Sequence, residues 1–313
     1  MWVKLDAICE LLQRQNGKLM IRVVDTPQEW LPKNTFSYPP HQGLNPLIEE
    51  RAFSYFTTMD IDSDYLYIPI QWTQYHCSNN WGNDTAKIAE IQNWANELPN
   101  KYPGEKFFTV VQYDDGTLVS IDNCKVFASS NSPKSPKAET QEYIPIPLLS
   151  DPHPGSPKVE RMNKVGFVGR NDTHPIRKVM CDKLMGTPGY RFEVNQSGGH
   201  ISQLFRDVIY DCVFGLAPRG YGPTSFRMYE TMQMDAIPIY VSNQFWLPFV
   251  DVIDWEKAVI LIDESNIDKI PGIVDELLES GEYEKYLEYG RMVYDKYLTW
   301  DGTLNQIAKI ISK

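Results

Sequence analysis

A chain of 313 residues with 42% hydrophobic and 23% charged residues is ordinary globular composition, and long enough to build two cores. Its net charge of −11 argues against a nucleic-acid or anionic-membrane surface. Cys9, Cys77, Cys124, Cys181 and Cys212 are odd in number and scattered, which points to free thiols in a reducing compartment rather than a disulfide framework or a zinc site. The N-terminus carries charges every few residues and no apolar run. It therefore predicts neither signal peptide nor membrane insertion, and a cytoplasmic chain. Leu5, Ile8, Leu11 and Leu12 have helical spacing, and a turn at Asn16-Gly17 leads into the strand "KLMIRVV". "DYLYIPI" (64–70), "KFFTVVQY" (106–113) and "KVFASS" (125–130) read as further strands. Between the first two, "NDTAKIAEIQNWANEL" (83–98) is a helix with Asp84 or Thr85 as N-cap.

The stretch 129–158 is dense in Ser and Pro and reads as a connector. A second strand–helix alternation follows it: "KVGFVG", "PIRKVMCDKLMG", "YRFEV", "ISQLFRDVIYDC", "VFGLAP", "TSFRMYETMQM", "IPIYVS" and "AVILID". A helical pattern then runs from Ile273 to Ser312. Alternation of this kind predicts α/β halves with mainly parallel sheets. The expected division is an N-terminal domain over 1–150, a C-terminal one over 151–290, and a helical tail over 291–313 that can pack back on the first. A ligand cleft is expected between the halves, at strand carboxyl ends.

The chemistry concentrates in "GLAPRGYGPTSFRMYE" (215–230). A strand runs into Arg219-Gly220-Tyr221-Gly222-Pro223 and then a helix that Thr224 or Ser225 can cap. Glycines allow close backbone approach, a helix start favours an anion, and Arg219 and Arg227 add bidentate donors for phosphate. Between Arg161 and Glu230 ten Lys/Arg stand against six Asp/Glu, so this stretch is +4 within a chain of −11. The pattern is neither a Walker A loop nor GxGxxG. Glu230 has two readings: a carboxylate for ribose hydroxyls, or an i,i+3 ion pair with Arg227. "KVGFVGRNDTHPIRK" (164–178) supplies a second strand-end loop, with Gly169, Arg170, a capping cluster Asn171-Asp172-Thr173, and Arg177-Lys178. Two such loops suggest a diphosphate held between them.

The block 214–255, with its APRG-x-G-x-x-S-x-R-x-x-E core, "IPIYVS", "LPF" and "DW", resembles the signature of the exostosin family, glycosyltransferase family 47. "DYLYIPI", "KFFTVVQYDDG", "EYIPIPLLSDP" and "VGFVGR" match further landmarks in order, from about residue 60 to 300. The resemblance implies a GT-B fold of two Rossmann-like domains facing a central cleft. It also implies inverting transfer from a UDP-sugar to an oligosaccharide or glycoprotein glycan, with no tightly bound cofactor and no obligatory divalent metal. In that reading Arg170, Arg219 and Arg227 stabilise the leaving diphosphate. Gly169, Gly220, Gly222, Thr224 and Ser225 complete the cradle, and Glu230 binds the ribose. Tyr221 either stacks near the sugar or covers the loop. Two positions depart from the family: Val168 replaces the first arginine of F-R-G-R, and Tyr113-Asp114 stands for His-Asp.

An inverting transfer needs a base for the acceptor hydroxyl. Asp114 and Asp115 have the right place at a strand end, although Asp115-Gly116 also reads as a plain turn. His76 is a second candidate, against the reading of a packed histidine beside aromatics; His41 and Glu49 are remote ones. Asp60-Ile61-Asp62 has the Asp-x-Asp form of metal-dependent transferases but lies in the acceptor half. Tyr65, Tyr67, Trp72, Tyr75 and Trp81 are either sugar-stacking or core aromatics. A non-catalytic sugar-nucleotide or glycan-binding module and a UDP-sugar-modifying enzyme are the competing functions. Val168 removes a cation from the donor site, which favours a neutral sugar such as xylose.

Overall fold

The computed structural model describes residues 21–33, 47–136, 138–156, 160–195 and 203–312. The expected N-terminal helix and turn, Cys9 and His41 lie outside them. The chain divides into two compact units. One runs up to Ile146 and takes in Thr303–Lys313; the other is essentially Pro147–Gly302.

The first unit is built on a four-stranded parallel sheet in sequential order: β1 (Tyr65–Tyr67), β2 (Lys106–Val111), β3 (Cys124–Ala128) and β4 (Gln141–Pro145). Val23 adds a parallel bridge to Tyr67 at the β1 edge. Helices α1 (Ile48–Phe56) and α2 (Trp72–Ser78), which the sequence pattern did not mark, flank β1 in the chain. Helix α3 (Thr85–Lys101) starts where Asp84 accepts from the Ala86 and Lys87 amides.

The connector reading of 129–158 needs correction. Gln141–Pro145 pairs with β3, and Ser129, Ser130, Ser132 and Ser135 are buried. Backbone bonds hold the segment here: the Ser129 amide reaches the Val111 carbonyl at 3.0 Å and the Ser132 amide the Asp114 carbonyl at 3.0 Å, while the Ser130 and Ser135 hydroxyls are buried without a partner. Pro145 is tolerated because β4 is an edge strand, where a missing N–H breaks no ladder bond.

The second unit holds β5 (Asn163–Gly169), α4 (Pro175–Leu184), β6 (Tyr190–Val194), α5 (Gln203–Ile209), β7 (Cys212–Pro218), α6 (Phe226–Gln233), β8 (Ile237–Val241) and β9 (Ile260–Ile262). All neighbours are parallel, in the order β6-β5-β7-β8-β9. Both faces are covered: Val165 and Phe167 pack with Met180, Leu216 and Ile239, while Val168 packs with Phe205, Val208 and Cys212. That is why the strands read as continuous apolar runs. Two glycines set the layer spacing. A Cβ on Gly215 would sit 2.7 Å from both Thr231 Oγ1 and Cγ2, and one on Gly166 would sit 2.7 Å from Cys212 Sγ. Bare backbone at these points is what lets α6 and α5 close onto the sheet.

After α7 (Ile270–Ser280) and α8 (Tyr283–Val293) the chain passes a π-helical turn and ends in α9 (Trp300–Ile311). Within the first unit Asn305 accepts from Tyr55 at 2.6 Å, and the Ile311 carbonyl from Ser63 at 2.7 Å. No helix among the described residues is long and apolar enough to cross a membrane.

Candidate donor and base sites

In the second sheet the strand order reverses between β5 and β7. Loops after these two strands leave in opposite directions around the sheet, so their amides and side chains open a crevice at the carboxyl ends. Both sequence-flagged loops leave from this point. The first begins at Gly169-Arg170 and the second at Arg219.

The second loop is closed by its own backbone: the Gly220 amide donates to the Thr224 carbonyl at 3.1 Å, and the Arg219 amide to Val241 at 2.9 Å. Tyr240 and Ser242 donate hydroxyls to the Pro223 carbonyl, holding the exit of the loop against β8. Ser225 is the N-cap of α6, accepting from the Arg227 amide at 3.3 Å. Thr224 is buried beside it and Gly222 is buried too, while Tyr221 is exposed. Gly220 has no left-handed φ, and a Cβ there would meet only ordinary contacts, Arg177 Nη2 at 3.7 Å and the Thr224 carbonyl at 3.9 Å. Nothing within the described chain requires glycine at 220.

The arginines separate into inner and outer ones. Arg219 is buried; its guanidinium donates to Asn243 and, at 3.1 Å, to the Tyr221 carbonyl. Arg227 is buried as well. It donates to the Val168 carbonyl at 2.8 Å, pairs with Glu230, and lies 4.2 Å from the Phe205 ring centroid. Glu230 is completely buried and is also bonded to His153 Nε2 at 3.1 Å. The i,i+3 pair therefore exists, with a histidine on the other carboxylate oxygen. Arg170, by contrast, is exposed, with a bidentate pair to Asp172 at 2.8 and 2.9 Å. Its side chain does not join the inner group, although an exposed, solvent-screened pair of this kind holds it only weakly.

Sequence reasoning missed His153 and Asn243 here, and named Arg177 in the first loop without giving it a role of its own. Arg177 bonds carbonyls of both loops, at Arg170, Pro218 and Arg219. His153 carries no motif of its own. Asn243, which holds Arg219, lies in "VSNQF" just past β8. The α4 cap also differs from expectation. His174, not the Asn171–Thr173 cluster, accepts from the Ile176 amide at 3.3 Å, with Pro175 at the first helical turn. Burial and then the Arg219 guanidinium lower the His174 pKa, so its imidazole is neutral at pH 7.

The base candidates sit at the carboxyl end of β2. The Gly116 amide donates to the Tyr113 carbonyl at 2.9 Å, closing a turn with Asp114 and Asp115 in its middle. Gly116 has φ +68°, and a Cβ there would sit 2.6 Å from Tyr143 Oη, so glycine is obligatory. Asp115 is buried and accepts from Ser132; Asp114 is half-buried. His76 lies wholly in the core between Trp72, Tyr75 and Tyr113 rings, and burial pushes its pKa down to about 4. His76 is thus packed among aromatic rings with no exposed surface of its own. Glu49 is buried too, accepting from the Thr73 and Gln112 amides, and burial raises its pKa to about 8.

The aromatic residues divide in the same way. Tyr67, Trp72 and Tyr75 are core, and Trp81 is 49% exposed. Trp81 has φ 54° and follows Asn80 at φ 52°, two consecutive left-handed residues without glycine. The Tyr113 hydroxyl holds this turn by donating to the Trp81 carbonyl at 2.8 Å. Asp60 and Asp62 remain in the first unit, and among the described residues no cluster of three or more His, Cys, Asp or Glu is placed to hold a metal ion.

Residues 20–277 match the Exostosin GT47 domain. The chain belongs to the exostosin GT47 family. Its two successive Rossmann-like units are the α/β architecture of the GT-B class. Among relatives, it is 30% identical over 112 residues to exostosin-1b of Danio rerio, covering 34% of this chain and 14% of that protein. It is 35% identical over 97 residues to the exostosin-1 homolog of Caenorhabditis elegans, covering 30% and 24%. The matched stretches are thus a small part of those longer exostosins. A solved structure with some likeness is the GtfA/B complex, at 10% identity and TM-score 0.45 over 80% of this chain and 58% of that one.

Proposed function

We propose that this exostosin-family protein is an inverting glycosyltransferase that moves a sugar from a UDP-sugar to a hydroxyl of a glycan. The observation that carries the reading is the set of buried guanidiniums at the β5–β7 switch point, where an anion is the natural ligand. The acceptor oxygen attacks the anomeric carbon as the bond to the β-phosphate oxygen breaks, and UDP leaves with the bonding pair. Arg219 and Arg227 oppose the charge that grows on that oxygen, the role a divalent metal plays elsewhere, so no metal is obligatory. Arg170 joins them by leaving its weak surface pair with Asp172. The loop 220–225 approaches the diphosphate, which explains glycine at a position the chain itself does not demand. Glu230, held between Arg227 and His153, is the residue assigned to the ribose.

Asp114 is the preferred base, because Asp115 is tied to Ser132 and His76 is enclosed. Trp81, displayed on a strained turn tied to Tyr113, is the preferred platform for an acceptor sugar face. A neutral donor is favoured, UDP-xylose first, since Val168 takes the place of a family cation. The competing reading of a binding module rests on Tyr113, whose hydroxyl is engaged by the Trp81 backbone where the family has histidine. Hydrolysis of a panel of UDP-sugars by the pure protein tests the proposal. Release of UDP from a neutral donor supports it, fastest turnover of UDP-glucuronic acid removes the charge argument, and UDP binding without any turnover leaves the binding module.

A further inference from the structure

We infer that Arg177, which closes the sequence motif of the first donor loop, is a buried cation that receives the donor diphosphate. The inference rests on the UDP-sugar reading above. Arg177 sits on the first turn of α4 and is buried. Its Nε donates to the Arg219 carbonyl at 2.8 Å, Nη1 to the Arg170 carbonyl at 3.1 Å and Nη2 to the Pro218 carbonyl at 3.0 Å. One guanidinium thus fastens the first residue of each loop to the other. A guanidinium has five N–H groups. Three are accounted for, and one on each terminal nitrogen is left over.

Arg177 has no ion-pair partner among the described residues. Its bonds all run to neutral carbonyls; burial and then the Arg227 cation lower its pKa to about 9, and Cys181 and Asp172 offset this only in part. Arg227 itself is neutralised by Glu230, and Arg170 by Asp172. A buried charge without a counter-ion is costly unless a ligand supplies one. The two positions that border its terminal nitrogens are glycines, one from each loop. A Cβ on Gly169 would stand 3.7 Å from Nη1, and one on Gly220 3.7 Å from Nη2. Phe167 Cζ stands closer still to the Gly169 position, at 3.2 Å, so a side chain there would crowd the ring and the guanidinium together, whereas bare backbone keeps the loops clear beside Arg177. An entering group must carry negative charge and present several acceptor oxygens, which a diphosphate does.

The test is calorimetric affinity for UDP, inorganic diphosphate and uridine, measured on the full chain, on Arg177→Met and on Arg177→Lys. In Arg177→Met, UDP and inorganic diphosphate should weaken by about 10- to 100-fold, the loss of one charge-assisted contact, while uridine stays within about twofold. Arg177→Lys keeps the charge without the fork and should recover part of the phosphate affinity. The lysine variant also keeps the test alive should the methionine one not fold. Uridine weakening in step with UDP would mean that Arg177 only shapes the loops, and unchanged UDP affinity would mean that it has no role; either overturns the inference. Failure of the parent protein to bind UDP or inorganic diphosphate would instead overturn the donor-site reading on which it rests.

Discussion

Replacing Glu230 by glutamine removes a charge and almost no volume, and the structure says what that charge does. Its side chain is 0% exposed and Arg227 beside it only 9% exposed, with His153 on the second oxygen at 2%. Deleting one member of a buried pair costs about 3–5 kcal/mol, because the survivor stays buried without compensation. Glutamine can still accept from Arg227, which also keeps the Val168 carbonyl and the Phe205 ring, so we place the cost at the lower end, about 3 kcal/mol. For a unit of this size each 1 kcal/mol lowers Tm by about 2–4 °C, giving a fall of about 6–12 °C. The assay is a thermal double-mutant cycle with Arg227→Met. Removing both charges abolishes the uncompensated cation, so the double variant should be more stable than the two single costs add up to, by about 2 kcal/mol. A Glu230→Gln protein melting within about 2 °C of its parent, or strictly additive costs, would refute the buried-pair argument. The same variant reports on the ligand. A fall in UDP affinity far exceeding that for inorganic diphosphate marks a ribose contact, whereas equal falls mean that Glu230 acts only by holding Arg227.

Gly220→Ala should leave thermal stability unchanged, because its Cβ meets nothing closer than 3.7 Å, and yet weaken UDP binding measured by calorimetry. A large loss of stability with UDP binding intact would reverse that assignment. Arg170→Ala removes only an exposed, screened pair, so the melting temperature should hardly move while UDP affinity falls about tenfold. Asp114→Asn should abolish transfer in a steady-state assay and leave UDP affinity as it was; full activity would exclude Asp114 as the base. Glu49 provides a pH test. Its folded pKa, raised by burial to about 8 from 4.5, means that the folded state binds the proton more tightly than the unfolded one. Its contribution is therefore complete below about pH 4.5 and is lost as pH rises through about 8, by on the order of a few kcal/mol. Glu49→Gln should flatten that decline in melting experiments between pH 6 and 9, and an undiminished slope would remove Glu49 as its source.

Much of the second unit could be read from local pattern. Its strands are covered on both faces, so "KVGFVG", "VFGLAP" and "IPIYVS" stand out as apolar runs between helical periods. The first unit was harder. Helix α2 begins at Trp72 straight after a strand, without a capping side chain. The serine-rich segment after β3 hides a strand, because serine and proline mark loops in general and bury only when particular amides and edges are available. The aromatic residues show the same limit. Tyr67, Trp72 and Trp81 look alike in composition, and only packing decides that the first two are core and the third is displayed on a left-handed turn.

By itself the sequence determined the chemistry of the loops: glycine, arginine and a helix-capping serine following strands, with positive charge gathered in an acidic chain. It also determined the i,i+3 spacing that lets Arg227 meet Glu230. Only the tertiary structure decided which strands stand side by side, and hence that loops some fifty residues apart open at one switch point. It also decided which arginines lie inside. Arg170 has an aspartate two residues away and stays in solvent with it, whereas Arg177, on the adjoining helix, turns inward to three carbonyls. Desolvation makes that difference. It depends on what the whole fold packs around a charge, and the neighbours of that charge along the chain do not encode it.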